Sequence, residues 1–291
     1  MGPILVTGGS GQVGGALVRL APADLELFAP GRAELDLTAP QELAAIVRSR
    51  PWAAVVNCAA YTAVDRAEAD VVSAWAVNAL APAALAAAAA AENIPILHVS
   101  TDYVFDGSKP DFYVEDDPVA PLGVYGASKE GGEQAVRTAN PQHLILRTAW
   151  VVSATGANFI KTMLRLGADR PQLRVVADQR GCPTSADDIA RTILALLGRI
   201  GSGPYGTYHF VNAGEATWHA LAEAVFARAA THGRAAPAVE PIATSDYPTP
   251  AARPANSRLA TAKIGRDYGI TPRDWRVAVD EIVDALVKET A

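Results

Sequence analysis

The sequence predicts an α/β fold, a doubly wound, Rossmann-like parallel sheet with a smaller C-terminal substrate-binding lobe. Three observations predict it. Short apolar runs recur with helical stretches between them, a glycine-rich turn follows the first run directly, and the alternation is regular to about residue 147 and looser beyond. Strands alternating with helices imply βαβ crossovers, hence a parallel sheet covered on both faces.

The strand candidates are residues 4–6, 25–28, 54–57, 96–100 and 144–146, followed by 175–176 and 209–211. Between the third and fourth lies an alanine-dominated stretch, 74–91, interrupted by Asn78 and Pro82. Alanine contributes little to membrane insertion, so this stretch reads as a buried or half-buried helix. Residues 158–166 and 185–197 have helical patterns, 201–204 is a turn, and Thr217 can cap a helix running to Ala229. Prolines at 237, 241, 248, 250 and 254 predict that 235–256 is a long irregular loop or lid. An amphipathic helix over 275–288 closes the chain, and Trp218 and Trp275 at helix starts are expected to pack in cores. The domain reading is residues 1–152 plus about 185–213 for dinucleotide binding, and about 153–184 plus 214–291 for the substrate lobe.

Composition narrows the function classes. The chain has 291 residues, half of them apolar and 19% charged, which is enough to bury a sizeable core and argues against disorder. Its 25 basic and 31 acidic side chains give a formal charge of -6, which supplies no field for nucleic acid. Met1 runs straight towards the first apolar strand without a charged leader, so a cytoplasmic protein with no membrane association is expected. Cys58, Cys182 and the five histidines show no metal-ligand spacing, so no metal is expected. The acidic run between Asp106 and Asp117 reads as a solvated loop.

The first strand opens into Thr7-Gly8-Gly9-Ser10-Gly11-Gln12-Val13-Gly14. Glycines at 8, 11 and 14 permit a tight turn, close approach of backbone to a pyrophosphate and close helix packing, and the helix N-terminus supplies donors for the anion. Where an NADH site would carry a ribose-binding acid, the second strand ends in Arg32, which suits a 2'-phosphate and favours NADPH, with NADH as the other candidate. Asp36 can accept from an adenine amino group; the alternative reading is that Asp36 or Thr38 caps the helix that begins near Pro40, and the two roles can coexist. The third strand ends in small residues, Asn57 to Ala60, as expected where a cofactor crosses strand tips.

The chemistry is carried by Tyr125-Gly126-Ala127-Ser128-Lys129. A Tyr-x-x-x-Lys spacing on a helix places phenol and ammonium on one face, where the ammonium lowers the phenol's pKa and makes it an acid near neutral pH. Thr101, at the end of a preceding strand, adds a hydroxyl able to hydrogen-bond a carbonyl while hydride reaches its carbon. This constellation points to ketone reduction.

These motifs resemble the extended short-chain dehydrogenase/reductases, and further strings narrow the resemblance to the dTDP-4-dehydrorhamnose reductase family. The strings are Gly11 to Gly14, Tyr61 to Asp65, Ser100 to Phe105, Arg147 to Trp150, Asp178 to Thr184 and Arg253 to Ser257. The resemblance implies NAD(P)H-dependent reduction of the C4 ketone of dTDP-4-dehydro-L-rhamnose for surface polysaccharide, with a homodimer as one candidate assembly. It implies Tyr125 as proton donor, Lys129 as its partner and a cofactor-ribose ligand, and Thr101, Asp102 and Trp150 at the sugar. Arg253 is implied near the diphosphate, and Gly11, Gln12, Val13, Asp36, Leu37, Ala60, Tyr61 and Thr62 at the cofactor. Val152 and Cys182 depart from the family pattern in ways that bear on sugar selectivity.

Two other readings share the fold. A sugar-nucleotide dehydratase needs a second acid/base pair, but Asp102 is followed by Tyr103 where that pair would be, so elimination would lack its base. A non-catalytic NADP-binding regulatory subunit would not need Thr101, Tyr125 and Lys129 together.

Overall fold

The computed structural model describes residues 2–289; residues 290–291 of the expected C-terminal lobe lie outside them. Six parallel strands form the main sheet: β1 (Ile4–Thr7), β2 (Leu27–Phe28), β3 (Ala54–Asn57), β4 (Ile96–Thr101), β5 (His143–Thr148) and β6 (Gly206–His209). Their order is β6-β5-β4-β3-β1-β2, so the chain reverses its direction of travel between β1 and β3. The sixth strand pairs upstream of the apolar run at 209–211, and Phe210 and Val211 are buried beyond its end.

Alternation along the strands divides the core in two. Ile4, Val6, Val56, Leu97 and Leu146 point to one face, under the helices Gln12–Leu20 and Ala186–Leu197. Leu5, Val55, Ile96 and Ile145 point to the other, under Pro40–Arg48, Ala81–Ala91 and Val124–Ala139. Where they begin, β1, β3 and β4 are apolar on both sides because both faces are covered.

The alanine-rich segment is one helical run, Val71–Ala91, with a π turn at Ala76–Leu80. By length and composition it could cross a membrane, yet 44% of its most apolar window is buried in the protein. Small side chains let its neighbour approach closely: a Cβ on Gly132 would stand 2.1 Å from the Asn78 carbonyl oxygen.

A separate core, including Ile160, Val175, Leu221, Phe226, Trp275 and Val283, organises the C-terminal lobe. Three helices beyond β5 start at side-chain caps, of which Thr217 was the one expected. Asn158 accepts from Lys161 N at 3.3 Å, Ser185 from Asp187 N at 3.2 Å and Thr217 from Ala220 N at 3.1 Å.

Two expectations are corrected. Residues 235–256 are not irregular throughout, since Ala238–Ile242 pairs in parallel with Gln172–Val176 in a two-stranded sheet outside the main one. Ala238 donates to the Pro171 carbonyl, so alternate residues face the partner strand and Pro241, whose missing N–H faces outward, is tolerated at this edge. Neither Asp36 nor Thr38 caps the Pro40–Arg48 helix. Ala39 is its N-cap, Pro40 occupies the first turn, and Asp36 instead accepts from Thr38 N and Oγ1, both at 2.8 Å.

Candidate active site

A cleft of about 820 Å³ lies over the carboxyl ends of β1, β3, β4 and β5, at the point where strand order reverses. This is where open α/β sheets bind ligands. One end is the glycine turn. Gly8 has φ +76° and a Cβ there would meet Ala59 N at 2.6 Å, while a Cβ on Gly14 would stand 2.2 Å from the Gly8 carbonyl oxygen. Gly11 N donates back to that same oxygen at 2.9 Å, and the helix begins at Gln12. Side chains would fill this cradle, so its shape fits a pyrophosphate lying on backbone.

Gln12, Val13, Arg32, Asp36, Leu37, Ala60, Tyr61 and Thr62 all line the cleft, with Gly14 packed behind it. Asn78, whose role was not foreseen, fixes the wall at Tyr61. Its Oδ1 accepts from Tyr61 N at 2.8 Å, and its Nδ2 donates to Tyr61 O at 3.1 Å and to Ser128 Oγ at 3.0 Å. A lone polar side chain in an alanine run was the available signal.

The middle of the cleft is built by β4 and the helix Val124–Ala139. That helix starts where Val124 N donates to Glu68 Oε1 at 2.8 Å, and its close approach requires Gly126, whose Cβ would be 2.2 Å from Tyr103 O. Tyr125, Lys129, Thr101, Asp102 and Tyr103 converge here. Thr101 Oγ1 donates to Asp102 Oδ1 at 3.0 Å and accepts from Tyr103 N at 3.2 Å. The Tyr103 ring meets Tyr125 edge-on, centroids 5.4 Å apart.

The electrostatics correct one expectation. Burial pushes the Tyr125 phenol up to about 12, with the Thr101 hydrogen bond opposing and the Asp102 charge adding to the rise. Lys129 does not lower it here, because its ammonium is engaged elsewhere: Nζ donates to the Val99 carbonyl at 2.7 Å and lies 3.4 Å from His98 Nε2. Burial brings Lys129 itself down to about 8 against the opposing charge of Glu133. Asp102, almost fully buried with no partner for Oδ2, is pushed up to about 6 by burial.

Trp150 forms the far wall, stacked on Trp218 at 3.6 Å with 8° between the planes. Trp218 thus packs as expected, and it donates to Gln179 Oε1 at 3.0 Å. Arg253 is absent from the cleft wall: it pairs with Asp65 at 2.8 Å, which holds it beside the cleft. Val152 and Cys182 are buried in cores away from the cleft surface. Among the described residues no group of three His, Cys, Asp or Glu is placed to hold a metal ion.

A glycine cradle at a sheet's switch point, joined by one cleft to a Thr/Tyr/Lys cluster, defines an NAD(P)-binding oxidoreductase of the extended short-chain class. Residues 1–288 match the family described as RmlD substrate binding domain. The chain is 45% identical to the dTDP-4-dehydrorhamnose reductase of Sinorhizobium fredii, covering 98% of each chain, and 40% identical to that of Escherichia coli, covering 99% of each. Among solved structures it is similar to the dTDP-4-dehydrorhamnose reductase of Clostridium acetobutylicum (36% identity, TM-score 0.92, 98% and 99% of the two chains). It is also similar to that of Bacillus anthracis in complex with NADP (33%, 0.91, 97% and 98%). The chain belongs to the dTDP-4-dehydrorhamnose reductase family.

Proposed function

We propose that the protein reduces the C4 ketone of dTDP-4-dehydro-L-rhamnose to dTDP-L-rhamnose, with NADPH preferred over NADH. The observation that carries this reading is the convergence of Thr101, Tyr125 and Lys129 on the cleft that begins at the glycine cradle. When bound, the nicotinamide supplies hydride to the ketone carbon.

The chain's own residues do the rest. Tyr125 donates its phenolic proton to the developing C4 alkoxide, and Thr101, whose hydroxyl donates to Asp102 in the free site, turns that proton to the ketone oxygen and orients it. Lys129, whose Nζ is held between the Val99 carbonyl and His98, binds the nicotinamide ribose. Trp150 and Asp102 hold the sugar. Arg32, in the cleft wall on the loop that follows β2, supports the NADPH preference through a guanidinium suited to a 2'-phosphate. Arg253 reaches the diphosphate by exchanging its Asp65 partner for it. Cytoplasmic location, a homodimer and the two-lobe division at about residues 152, 185 and 213 belong to the same reading.

A second substrate is favoured by one relative. A Streptomyces antibioticus protein, 45% identical over 95% of this chain, is named "Probable dTDP-4,6-dihydroxy-2-methyloxan-3-one 4-ketoreductase". The test is product identification by NMR after incubation with dTDP-4-dehydro-L-rhamnose and NADPH or NADH, alongside other dTDP-4-keto sugars. Formation of dTDP-L-rhamnose is expected, fastest with NADPH. Turnover only with another keto sugar would redirect the substrate, and no coenzyme oxidation with any of them would leave a non-catalytic binding protein.

A further inference from the structure

A row of polar side chains crosses the face of the sheet that lies under Pro40–Arg48, Ala81–Ala91 and Val124–Ala139. Thr7 on β1 pairs in register with Asn57 on β3, and Asn57 with His98 on β4. Leu5, Val55 and Ile96 precede them on that face and Ile145 lies beside His98, while Ser100 above His98 is polar and pairs in register with Arg147. All three polar residues are at most 1% exposed. Buried polar groups need partners, and here the hydrogen bonds run in one direction.

The Asn57 amide has only one orientation. Thr7 Oγ1 donates to its Oδ1 at 2.6 Å and Ala59 N donates to the same oxygen at 3.1 Å, so Nδ2 is the atom turned to His98 Nδ1 at 3.0 Å. An amide NH₂ can only donate, so Nδ1 must be the bare acceptor and the ring proton must sit on Nε2. That N–H points at Lys129 Nζ, 3.4 Å away. A cationic ring would put two donors against each other at Nδ1, and burial likewise holds His98 well below its ordinary titration range.

We propose that His98, locked as the neutral Nε2–H tautomer by Thr7 and Asn57, is a positioning residue for Lys129 whose N–H sets how firmly that amine holds its proton. The donor hydrogen opposes an ammonium at Nζ and favours an amine that accepts from His98 while donating to the Val99 carbonyl, 2.7 Å away. The other charged group acting on Lys129 is Glu133 on its own helix, which favours the charged form, while the Cys58 thiol just past β3 is kept neutral by burial. His98 is therefore the neighbour that works against it together with burial. The catalytic consequence, though not the tautomer, rests on the reading of Lys129 given above.

Two variants separate the effects. Asn57→Asp offers an acceptor to Nδ1, moves the ring proton there and turns a lone pair towards Lys129. His98→Leu removes the N–H altogether. In the wild-type protein, long-range ¹⁵N NMR should show His98 protonated at Nε2 and bare at Nδ1 from pH 6 to 9. The Lys129 ¹⁵Nζ titration should move to higher pH by about one unit in either variant, and the basic limb of the kcat/KM profile should follow. A wild-type His98 protonated at Nδ1, or a Lys129 titration unmoved in both variants, overturns the proposal. A moved Lys129 titration with a stationary kcat/KM limb sustains it and overturns the catalytic reading of Lys129 instead.

Discussion

The indole of Trp150 lies flat over Gly181: a Cβ on that glycine would stand 2.3 Å from Trp150 Cε2. Trp150 itself has φ +47°, in the left-handed region that a bulky residue rarely adopts, and Trp218 stacks on it from the other lobe. Backbone strain is thus held by packing, which fixes where the indole faces the cleft. Gly181→Ala should push the ring from this seat and raise KM for the sugar nucleotide roughly tenfold, about 1.4 kcal/mol, with NADPH affinity unchanged. Steady-state kinetics with coenzyme titration read the split. An unchanged KM would remove Trp150 from the substrate wall.

Tyr125→Phe removes one oxygen from the cleft wall and leaves the ring that meets Tyr103. Turnover should fall by a factor on the order of 10² to 10⁴, the usual worth of a positioned acid, while NADPH still binds. Thr101→Val should cost less, because Thr101 orients and does not supply the proton. Wild-type turnover in the Phe variant would refute the assignment.

What could be read from the chain was whatever depends on near neighbours in sequence. The turn from Gly8 to Gly14 and the Tyr125/Lys129 spacing are local geometry, so both appear in the cleft as expected. The row Thr7, Asn57, His98 was invisible because it depends on the lateral register of three strands separated by helices. The Tyr125 phenol was expected to be more acidic, and is less so, because burial is a tertiary property and outweighs a neighbour one turn away. Pro241 misled for a related reason: a strand with one partner tolerates a missing donor on its outer edge.

Glu133, fully buried one turn beyond Lys129, accepts from Arg147 Nε at 2.9 Å and Nη2 at 2.7 Å, and Arg147 is 3% exposed. Burial raises the Glu133 carboxyl, but the hydrogen bonds and charge of Arg147 outweigh this and leave it below its ordinary value. Glu133→Gln strands a buried guanidinium and should destabilise the protein by about 3–5 kcal/mol in urea unfolding. The double change Glu133→Leu with Arg147→Met should lose much less, since neither charge is then unpaired. A single variant within ~1 kcal/mol of wild type would mean that water reaches the pair.

Asp102 should make the protein less stable as pH rises. Its carboxyl titrates at an ordinary 3.8 when unfolded and is pushed by burial to about 6 when folded. Between those values the native state binds more protons than the unfolded one, so stability is greatest below the lower value and falls as pH climbs through the window. Above it the cost is complete, on the order of 3 kcal/mol. Asp102→Asn, which cannot ionise, should therefore raise Tm at pH 7.5 and leave it nearly unchanged at pH 4, while lowering kcat/KM because Thr101 loses its charged acceptor. Thermal unfolding of both proteins across pH 4 to 8 tests the sign directly: equal Tm differences at both ends would show that the carboxylate is solvated. A pH-dependent gain in stability bought with lost turnover would instead mark Asp102 as a charge retained for chemistry against the demands of the fold.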